Sequence, residues 1–363
     1  MPAPGAGMRI VVDVSPLSHP RTGIGNYIRG SLAGMCAAAG DRHELVAFAP
    51  TSLRGPVAIR AALDNIPAAP RLVPLPASHA LRTGWSRLGR PSVELVAGRL
   101  DAFVFSEWMY PAQRGGVRAT VFHDLVPFHH PEWCTARTVS MHTHKARNAA
   151  ATCDVVFANS RFTAADLTAT LGIEQERIVH TPPGLADGLG AEGPAADLGG
   201  PAVLGLGTIE PRKNLARLIE AWRLLDGELG LVLAGGEGWG ERPDLADPRI
   251  RRLGYVPDDE IARLYRGASV LVYPALYEGF GMPIVEAMAC GTPVVASAHP
   301  SLDEACGDAA VRVDPLDVEA IAAGIQEAVA RRDELVPLGL AHAARFSWRS
   351  TGATMLAALE ERA

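Results

Sequence analysis

Short runs of apolar residues recur along the chain, separated by longer stretches in which apolar positions repeat every three or four residues. Continuous apolar runs of this length are typical of strands that are buried on both faces of a parallel sheet. In the first half they read MRIVVDVS, ELVAFAP, RLVPLP, DAFVFS, ATVFHD, DVVFANS and RIVHTPPG. Between them lie helical patterns such as NYIRGSLAGMCAAA and FTAADLTATLG. Strands that alternate with helices predict an α/β fold with a doubly wound parallel sheet.

The same pattern starts again at residue 201, after a stretch of different composition. Residues 184–200 are rich in glycine, alanine and acidic residues and poor in large apolar ones, which is typical of a linker. Further strands are predicted at PAVLGLGTI, GLVLAGG, IRRLGYVP, ASVLVYPA, TPVVAS and AAVRVDP. A chain of 363 residues is also long for a single core. The predicted organisation is a flexible tail at 1–7, a first Rossmann-like domain at 8–184, a linker at 185–200 and a second Rossmann-like domain at 201–347.

The composition is that of a globular protein, with 48% apolar and 20% charged residues. Five cysteines are scattered without a CxxC pair, which fits a reducing cytosol and argues against structural zinc or a disulfide framework. The sequence contains no run of about 18 apolar residues and no signal-peptide pattern. We therefore expect a cytoplasmic protein.

The net charge of −6 is unevenly distributed, with 18 basic and 14 acidic residues in 1–190 and 16 basic and 26 acidic residues in 191–363. A mildly basic first domain leaves open peripheral contact with the inner face of a membrane, beside an ordinary solvated surface. We interpret the arginines around GWSRLGRPSVELVAG as a solvated helix face, with an acceptor or membrane-facing patch as the alternative; they are Arg82, Arg87, Arg90 and Arg99. The basic residues do not cluster as in a nucleic-acid footprint, so nucleic acid is not an expected partner.

Ligands of doubly wound sheets bind outside the carboxyl ends of the strands. In the first half, polar residues follow predicted strands at 106–108, at 123–124 and at 159–161. His123 closes the run ATVF, so its side chain should project toward a ligand. A neutral imidazole there can donate to a sugar hydroxyl or move a proton near physiological pH. The alternative is a histidine that is hydrogen-bonded by neighbouring backbone.

Two glycines, Gly23 and Gly25, fall where the first helix should begin, so that a ligand could approach the backbone closely there. A flexible turn explains them equally well. Arg212 and Lys213 lie immediately before another predicted helix, for which Asn214 is a candidate N-cap. Cations are electrostatically disfavoured at that position. An anion such as a diphosphate, bound between them and the helix, would account for both, whereas two solvated loop charges are the alternative.

The stretch YEGFGMPIVEAMACGTPVV, from Tyr277 to Val295, places two carboxylates around the start of a short helix. Pro283 suits the first helical position and Gly291 suits the residue just past the helix end. Glu278 then lies in the loop before the helix and Glu286 near its first turn, where backbone N–H groups attract anions. For each glutamate alone, a structural role is an alternative: a solvated loop residue, or a charge that offsets the helix dipole.

Together these motifs resemble the retaining glycosyltransferases of family four, which have the two-domain GT-B fold. The most specific match is the Glu-x7-Glu arrangement of Glu278 and Glu286, supported by PRKN from 211, GYVP from 254, HDLVPF from 123 and NSRFT from 159. The likeness covers nearly the whole chain. It implies two Rossmann-like doubly wound domains that face a central cleft, with the last helix, 348–363, packed back on the first domain.

The resemblance also implies a role for each matched residue. Arg212 and Lys213 would bind the diphosphate of a nucleotide sugar, Glu278 and the following backbone its sugar, and Glu286 the ribose. The donor-binding set is Gly23, Gly25, Arg212, Lys213, Val256, Glu278, Gly279, Phe280, Gly281, Met282 and Glu286. The catalytic set is His123, Arg212, Lys213 and Glu278, and the acceptor-binding set is Ser106, Glu107, Asp124 and Arg161.

The reaction implied is transfer of a hexose from a nucleoside-diphosphate sugar to a hydroxyl of a glycan, lipid-linked or small-molecule acceptor, with retention at the anomeric carbon. RTGIGNYI and HDLVPFHHPEW are similar to mannosyltransferase-like members that build polysaccharides, which favours GDP-mannose, while UDP-glucose and UDP-N-acetylglucosamine stay open. The sequence has no Asp-x-Asp motif, so we expect neither a metal nor another cofactor.

Other functions on a similar fold remain alternatives: a nucleotide-sugar epimerase, a phosphorylase or a non-catalytic nucleotide-binding protein. Retention of Arg212, Lys213 and both glutamates argues against a degenerate site. A dinucleotide-dependent oxidoreductase is disfavoured, because neither half has GxGxxG after its first strand.

Overall fold

The computed structural model describes residues 7–19, 22–106, 109–225, 227, 229–238 and 244–363. The chain forms two compact units, one comprising Met1–Gly184 with Ser347–Ala363 and the other Leu185–Phe346. Each unit is built around one parallel sheet. Within the described residues, every strand predicted from an apolar run is confirmed.

The described part of the first unit contains seven parallel strands: β1 Arg9–Asp13, β2 Glu44–Thr51, β3 Ala69–Pro74, β4 Ala102–Phe105, β5 Val117–Phe122, β6 Val155–Ala158 and β7 Ile178–His180. Their order is β3-β2-β1-β4-β5-β6-β7, so the direction of winding reverses between β1 and β4. All residues of β4, β5 and β6 are buried, because helices cover both faces of the sheet. These helices are α1 Gly23–Ala39, α2 Gly55–Ala62, α3 Ser78–Leu88, α4 Val93–Ala97, α5 Val126–His129, α6 Ala136–Thr152 and α7 Arg161–Leu171.

The second unit contains six described strands: β8 Ala202–Leu206, β9 Gly230–Ala234, β10 Ile250–Gly254, β11 Val270–Tyr273, β12 Val294–Ser297 and β13 Val311–Val313. Their order, β10-β9-β8-β11-β12-β13, reverses between β8 and β11. The helices of this unit are α8 Leu215–Arg223, α9 Asp258–Gly267, α10 Met282–Ala289, α11 Asp303–Cys306, α12 Val318–Ala330 and α13 Arg332–Ala343.

The last helix, α14 Trp348–Arg362, belongs to the first unit and packs against α1. Gly30 and Gly34 of α1 face it, one turn apart. A side-chain carbon at Gly34 would lie 1.8 Å from the carbonyl oxygen of Trp348, so only glycine permits this approach. Met355 and Leu359 of α14 are buried in the hydrophobic core that α1 forms with the first sheet.

The segment predicted as a linker, 185–200, is part of the second unit. Leu198 is buried in the second core, and Leu185 and Leu189 pack against it. The Ala196 amide donates to the carbonyl of Arg263 at 2.8 Å. Three leucines therefore anchor a segment whose composition is otherwise typical of a linker.

None of the helices in the described ranges combines the length and the apolar character that a bilayer span requires.

Candidate active site

The second sheet brings two predicted groups of charged residues to one edge. Its strands β8 and β11 lie side by side although β9 and β10 come between them in the chain. The loop after β8 carries Arg212 and Lys213, and the loop after β11 carries Glu278. In doubly wound sheets, the crevice outside the carboxyl ends of two such strands is where ligands bind.

Glu278 is the centre of a buried charge cluster at this edge, with 8% of its surface exposed. Its Oε1 accepts hydrogen bonds from Arg212 Nη1 at 2.7 Å, Lys213 Nζ at 2.5 Å and the Tyr273 hydroxyl at 2.9 Å. Burial alone would raise the pKa of this carboxyl, but the charges of Lys213 and Arg212 outweigh burial and lower the pKa from 4.5 to about 2. The carboxylate is therefore ionised at neutral pH.

Each cation has a second partner in the cluster. Arg212 Nη2 forms an ion pair with Glu210 Oε1 at 2.8 Å, and Glu210 is itself buried. Lys213 Nζ donates to the Tyr273 hydroxyl at 2.6 Å and lies 4.9 Å from the centre of that ring. Two cations and two carboxylates balance one another, so an anionic ligand would have to compete with Glu278 for the cations.

Asn214 fixes the loop that carries the two cations. Pro211–Lys213 form a short 3-10 turn, and Asn214 then adopts a left-handed conformation, with φ of 56°, before α8 begins. Asn214 is the N-cap residue, as predicted, but its side chain makes no capping hydrogen bond. Its side-chain amide donates instead to the carbonyls of Pro274, at 3.1 Å, and Pro315, at 2.7 Å. This residue thereby ties the β8 loop to the β11 loop.

The backbone before α10 is shaped by Gly281, which has a φ of 96° and caps the helix. A side-chain carbon there would lie 2.7 Å from Leu302 Cδ2, so both conformation and space favour glycine. The helix starts at Met282, one residue earlier than predicted, and Pro283 is its second residue, where an N–H would also lack an intrahelical partner. Gly291 is left-handed just past the helix end, as predicted.

Glu286 contacts a different partner from Glu278. It lies on α10, and its Oε2 accepts a hydrogen bond from the Tyr265 hydroxyl at 2.8 Å. Burial raises the pKa of Glu286 above its ordinary value, and the hydrogen bond from Tyr265 opposes this only in part. A half-buried carboxylate with one oxygen held in this way can accept hydrogen bonds from ligand hydroxyls with the other.

The remaining predicted donor-binding residues of the second unit are Val256, Gly279, Phe280 and Met282. The Phe280 side chain is 2% exposed and packs on Phe346 with ring centroids 5.3 Å apart, so only its backbone can face a ligand. Met282 and Val256 are partly buried against the same core. Gly279 precedes Phe280 in the loop between β11 and α10.

His123, in the first unit, directly follows β5. Its Nε2 is buried and has no hydrogen-bond partner among the described residues, so the backbone-bonded alternative does not hold for this atom. The ring lies edge-on to Tyr27, with centroids 5.0 Å apart. Burial, and then the charges of Lys145 and His142, lower the pKa of His123 to about 3. The imidazole is therefore neutral at physiological pH.

The predicted acceptor residues have local contacts. Ser106 is buried and its hydroxyl donates to Asp13 Oδ2 at 2.9 Å. Asp124 Oδ1 accepts from the Val126 amide at 3.1 Å at the start of α5. Arg161 is the exposed first residue of α7, and Glu107 lies outside the described residues. Their role toward an acceptor stays a prediction.

Gly23 is the first residue of α1, where the sequence places the helix start. Among the described residues, a side-chain carbon at Gly23 would have no neighbour within 4 Å, so the backbone is open on that side. The Gly25 amide already donates to Thr22 Oγ1 at 3.2 Å. Gly23 is therefore the freer of the two for a ligand.

Several residues of these clusters escaped the sequence analysis. Tyr273 and Asp13 end strands, and Tyr265 lies on an amphipathic helix, so their patterns indicate core positions. Arg82 is only 6% exposed, so the expectation of a solvated helix face is wrong for it, whereas Arg87, Arg90 and Arg99 are exposed. Throughout the ranges that the structure covers, no group of three or more His, Cys, Asp or Glu side chains is placed to hold a metal ion.

Known proteins of similar sequence and fold identify the family of the chain. Residues 192–339 match the family described as Glycosyl transferases group 1. The chain is 31% identical to O-antigen chain mannosyltransferase B of Escherichia coli, over 94% of this chain and 97% of that protein. In fold it is similar to sucrose-phosphate synthase from Thermosynechococcus elongatus, with a TM-score of 0.71, 20% identity and 98% of both chains covered.

A second solved structure, Anabaena Alr3699/HepE in complex with UDP and glucose, has a TM-score of 0.69 at 17% identity, over 97% of this chain and 99% of that one. With the two parallel-sheet units, these likenesses show the GT-B fold. The full-length relative and the family match show that the chain belongs to the group 1 glycosyltransferases.

Proposed function

We propose that the chain transfers mannose from GDP-mannose to a hydroxyl of a glycan acceptor in surface polysaccharide biosynthesis, with retention at the anomeric carbon and without a metal ion. The choice of mannose is supported by the name of the E. coli relative, an O-antigen chain mannosyltransferase.

The observation that carries the proposal is the cluster of Arg212, Lys213 and Glu278 at the carboxyl ends of β8 and β11. The leaving group of the reaction is a nucleoside diphosphate, on which negative charge develops as the sugar departs. Buried cations already in place stabilise that charge without reorganisation. Arg212 and Lys213 at the start of α8 supply them, and the positive end of that helix adds to their effect.

Glu278 positions the sugar in this proposal. Three donors to Oε1 and the low pKa reduce the basicity of this carboxylate and so weaken it as a nucleophile, and because it stays ionised it is no source of a proton. This supports attack of the acceptor on the same face of the sugar from which the diphosphate leaves, with the phosphate assisting. Glu286, oriented by Tyr265, accepts hydrogen bonds from the ribose hydroxyls, and Val256 lines the base.

His123 is proposed to hydrogen-bond the reacting sugar. Its Nε2 is buried and unpartnered within the described residues, and it stays neutral at physiological pH. A neutral imidazole can hydrogen-bond a sugar hydroxyl without adding charge beside the anomeric carbon.

The test is a product analysis with GDP-mannose, a mannose-terminated oligosaccharide and EDTA. We expect GDP and an extended oligosaccharide in equal amounts, with the new linkage in the α configuration of the donor by NMR. A β linkage would refute retention, and a requirement for a divalent cation would refute metal independence. Conversion of GDP-mannose to another nucleotide sugar without acceptor would indicate the epimerase alternative.

A further inference from the structure

The buried face of helix α3 in the first unit is polar, which is unusual for a surface helix. Its buried residues are Ser78, Arg82 and Ser86, spaced four apart along one face. Leu81 and Leu88, in contrast, are 49% and 78% exposed. A surface helix ordinarily turns its apolar stripe inward. The reversal indicates that the inward face of α3 serves polar contacts.

Arg82 lies at the centre of that face and is only 6% exposed. Its Nε is buried without a hydrogen-bond partner, and the described residues give its guanidinium no ion pair. Buried guanidinium groups are nearly always paired, because an unpaired charge taken out of water is costly. Arg82 is therefore poised for an anion that the described part of the chain does not supply.

The surroundings of Arg82 are the switch point of the first sheet, where β1 and β4 lie side by side. Asp13 ends β1, and its charge acts on Arg82, yet its oxygens are already engaged. Oδ1 accepts from the Ser15 amide at 2.9 Å and Oδ2 from the Ser106 hydroxyl at 2.9 Å. The crevice outside the carboxyl ends of such strands is the general ligand position of doubly wound sheets.

An imidazole and a second arginine lie near Arg82. His79 precedes it by one turn on α3, and burial, then the charges of Arg137, Arg82 and His19, lower the pKa of its imidazole. Arg137 is exposed and so can rearrange toward a ligand. A guanidinium fork with a second arginine and an imidazole nearby suits a phosphate, because its oxygens accept several charge-assisted hydrogen bonds at once.

We infer that Arg82, with His79 and Arg137 beside it, binds a phosphate group of the acceptor at the switch point of the first sheet. The inference rests on the proposed function and narrows its acceptor to one that carries a phosphate or diphosphate. The group can belong to a soluble sugar phosphate or to a diphosphate-linked lipid, and the kinetic experiment below distinguishes the two.

The first experiment does not depend on catalysis. Thermal unfolding is followed with increasing inorganic phosphate at constant ionic strength, with saturating GDP to occupy the site at Arg212. Arg82→Gln is compared with Arg87→Gln, which makes the same charge change at an exposed position of the same helix. Arg82→Lys keeps the charge but loses the two-pronged hydrogen-bonding geometry of the guanidinium. If Arg82→Gln does not fold, the response of Arg82→Lys to phosphate is the test.

We expect phosphate to raise the unfolding temperature of the wild type and Arg87→Gln alike, because a ligand bound by the folded state alone stabilises it. The shift should be lost in Arg82→Gln and at least halved in Arg82→Lys. Without phosphate, Arg82→Gln should unfold at the wild-type temperature or above, since its unpaired charge is gone. Equal shifts in all variants would overturn the site.

The second experiment measures transfer from GDP-mannose to methyl α-mannoside, a soluble mannose phosphate and a detergent-solubilised, diphosphate-linked lipid glycan. In Arg82→Gln, KM should rise about tenfold or more for the phosphate-bearing acceptor and stay unchanged for the neutral one. The phosphate acceptor that responds identifies the source. Equal KM values in Arg82→Gln and Arg87→Gln overturn the inference alone, whereas no transfer by the wild type overturns the proposed function and leaves the phosphate titration to decide the site.

Discussion

At the scale of single residues, the Glu278 carboxylate holds Arg212 and Lys213 in place before any diphosphate can. Glu278 is buried and the two cations are largely buried, so the desolvation of each ionic side chain costs several kcal/mol and the three are stable only as a set. A donor diphosphate would take over the cations from Glu278 and leave that carboxylate for the sugar hydroxyls. The same pairing explains the low pKa of Glu278.

The pairing predicts how acid destabilises the protein. Because the pKa of Glu278 falls from 4.5 to about 2 on folding, its ionised form stabilises the protein above pH 4.5 and this contribution is lost as pH falls toward 2. The full contribution is about 3 kcal/mol. Urea unfolding of the wild type and Glu278→Gln at pH 7 and at pH 3 should show the stability gap between them shrinking at the lower pH. A constant gap, as expected for the exposed Glu192→Gln control, would contradict the ion pair.

The low pKa of His123 predicts the pH dependence of turnover. The imidazole stays neutral above about pH 4, so it gives the rate no inflection between pH 5.5 and pH 8. His123→Ala should lower kcat by about tenfold or more, as for one lost hydrogen bond of 1–3 kcal/mol, and leave the shape of the profile unchanged. A wild-type inflection near pH 6.5 that disappears in His123→Ala would show instead that His123 transfers a proton.

The sequence placed Arg212, Lys213 and Glu278 correctly at strand-to-helix turns, while their roles toward a donor stay predictions. It missed Tyr273 because an aromatic residue that ends an apolar run looks like core. Asn214 was placed correctly next to the helix but given the wrong partners, since side-chain capping competes with carbonyls that only the folded chain brings near.

At the scale of elements, the loop before α10 depends on one glycine conformation. Gly281→Ala would force a β-carbon into the left-handed region and toward Leu302. We expect a loss of about 1–3 kcal/mol in unfolding free energy, together with a higher KM for the donor, because Glu278 and Glu286 flank this turn. Gly190→Ala, where the added carbon meets nothing within 4 Å, is the matched control. Equal stability of the two variants would show that the turn adapts.

The hydrogen bond from Tyr265 on α9 to Glu286 on α10 predicts that its loss weakens the binding of GDP as well as lowering stability. Tyr265→Phe removes the hydroxyl that orients Glu286, and Tyr27→Phe removes a buried hydroxyl that donates to the Thr181 carbonyl. Each should cost about 1 kcal/mol of stability. Calorimetric titration with GDP should show weaker binding for Tyr265→Phe alone. Unchanged GDP affinity in Tyr265→Phe would refute the ribose role of Glu286.

The strands were predictable because helices cover both faces of each sheet, which makes their sequences continuously apolar. The buried face of α3 was not predictable, because a stripe of leucines ordinarily points toward the core. In the structure, Ser78, Arg82 and Ser86 point inward instead. A periodic pattern identifies a helix and its two faces. The pattern does not say which of the two faces is buried.

At the scale of the whole molecule, the two units share a plan. In each described sheet the strand order reverses once, and charged side chains gather where it does: Asp13 and Arg82 in the first unit, Glu278 with its two cations in the second. The sequence indicated both sheets, but it did not assign residues 185–200 to the second unit. Three leucines anchor that segment in the second core, although its overall composition is typical of a linker.

The most direct test of the proposed donor site is acceptor-dependent release of GDP from GDP-mannose by the wild type and by Lys213→Ala. Loss of a preorganised charge on the leaving group should lower kcat by about 10²–10³-fold. Lys213→Ala should unfold at a lower temperature than the wild type, because Glu278 loses one of its cations, yet it should stay folded under the assay conditions. Arg223→Ala, an exposed change at the far end of α8, should keep normal turnover. Near-normal turnover in Lys213→Ala, or GDP release that needs no acceptor, would contradict glycosyl transfer at this cluster.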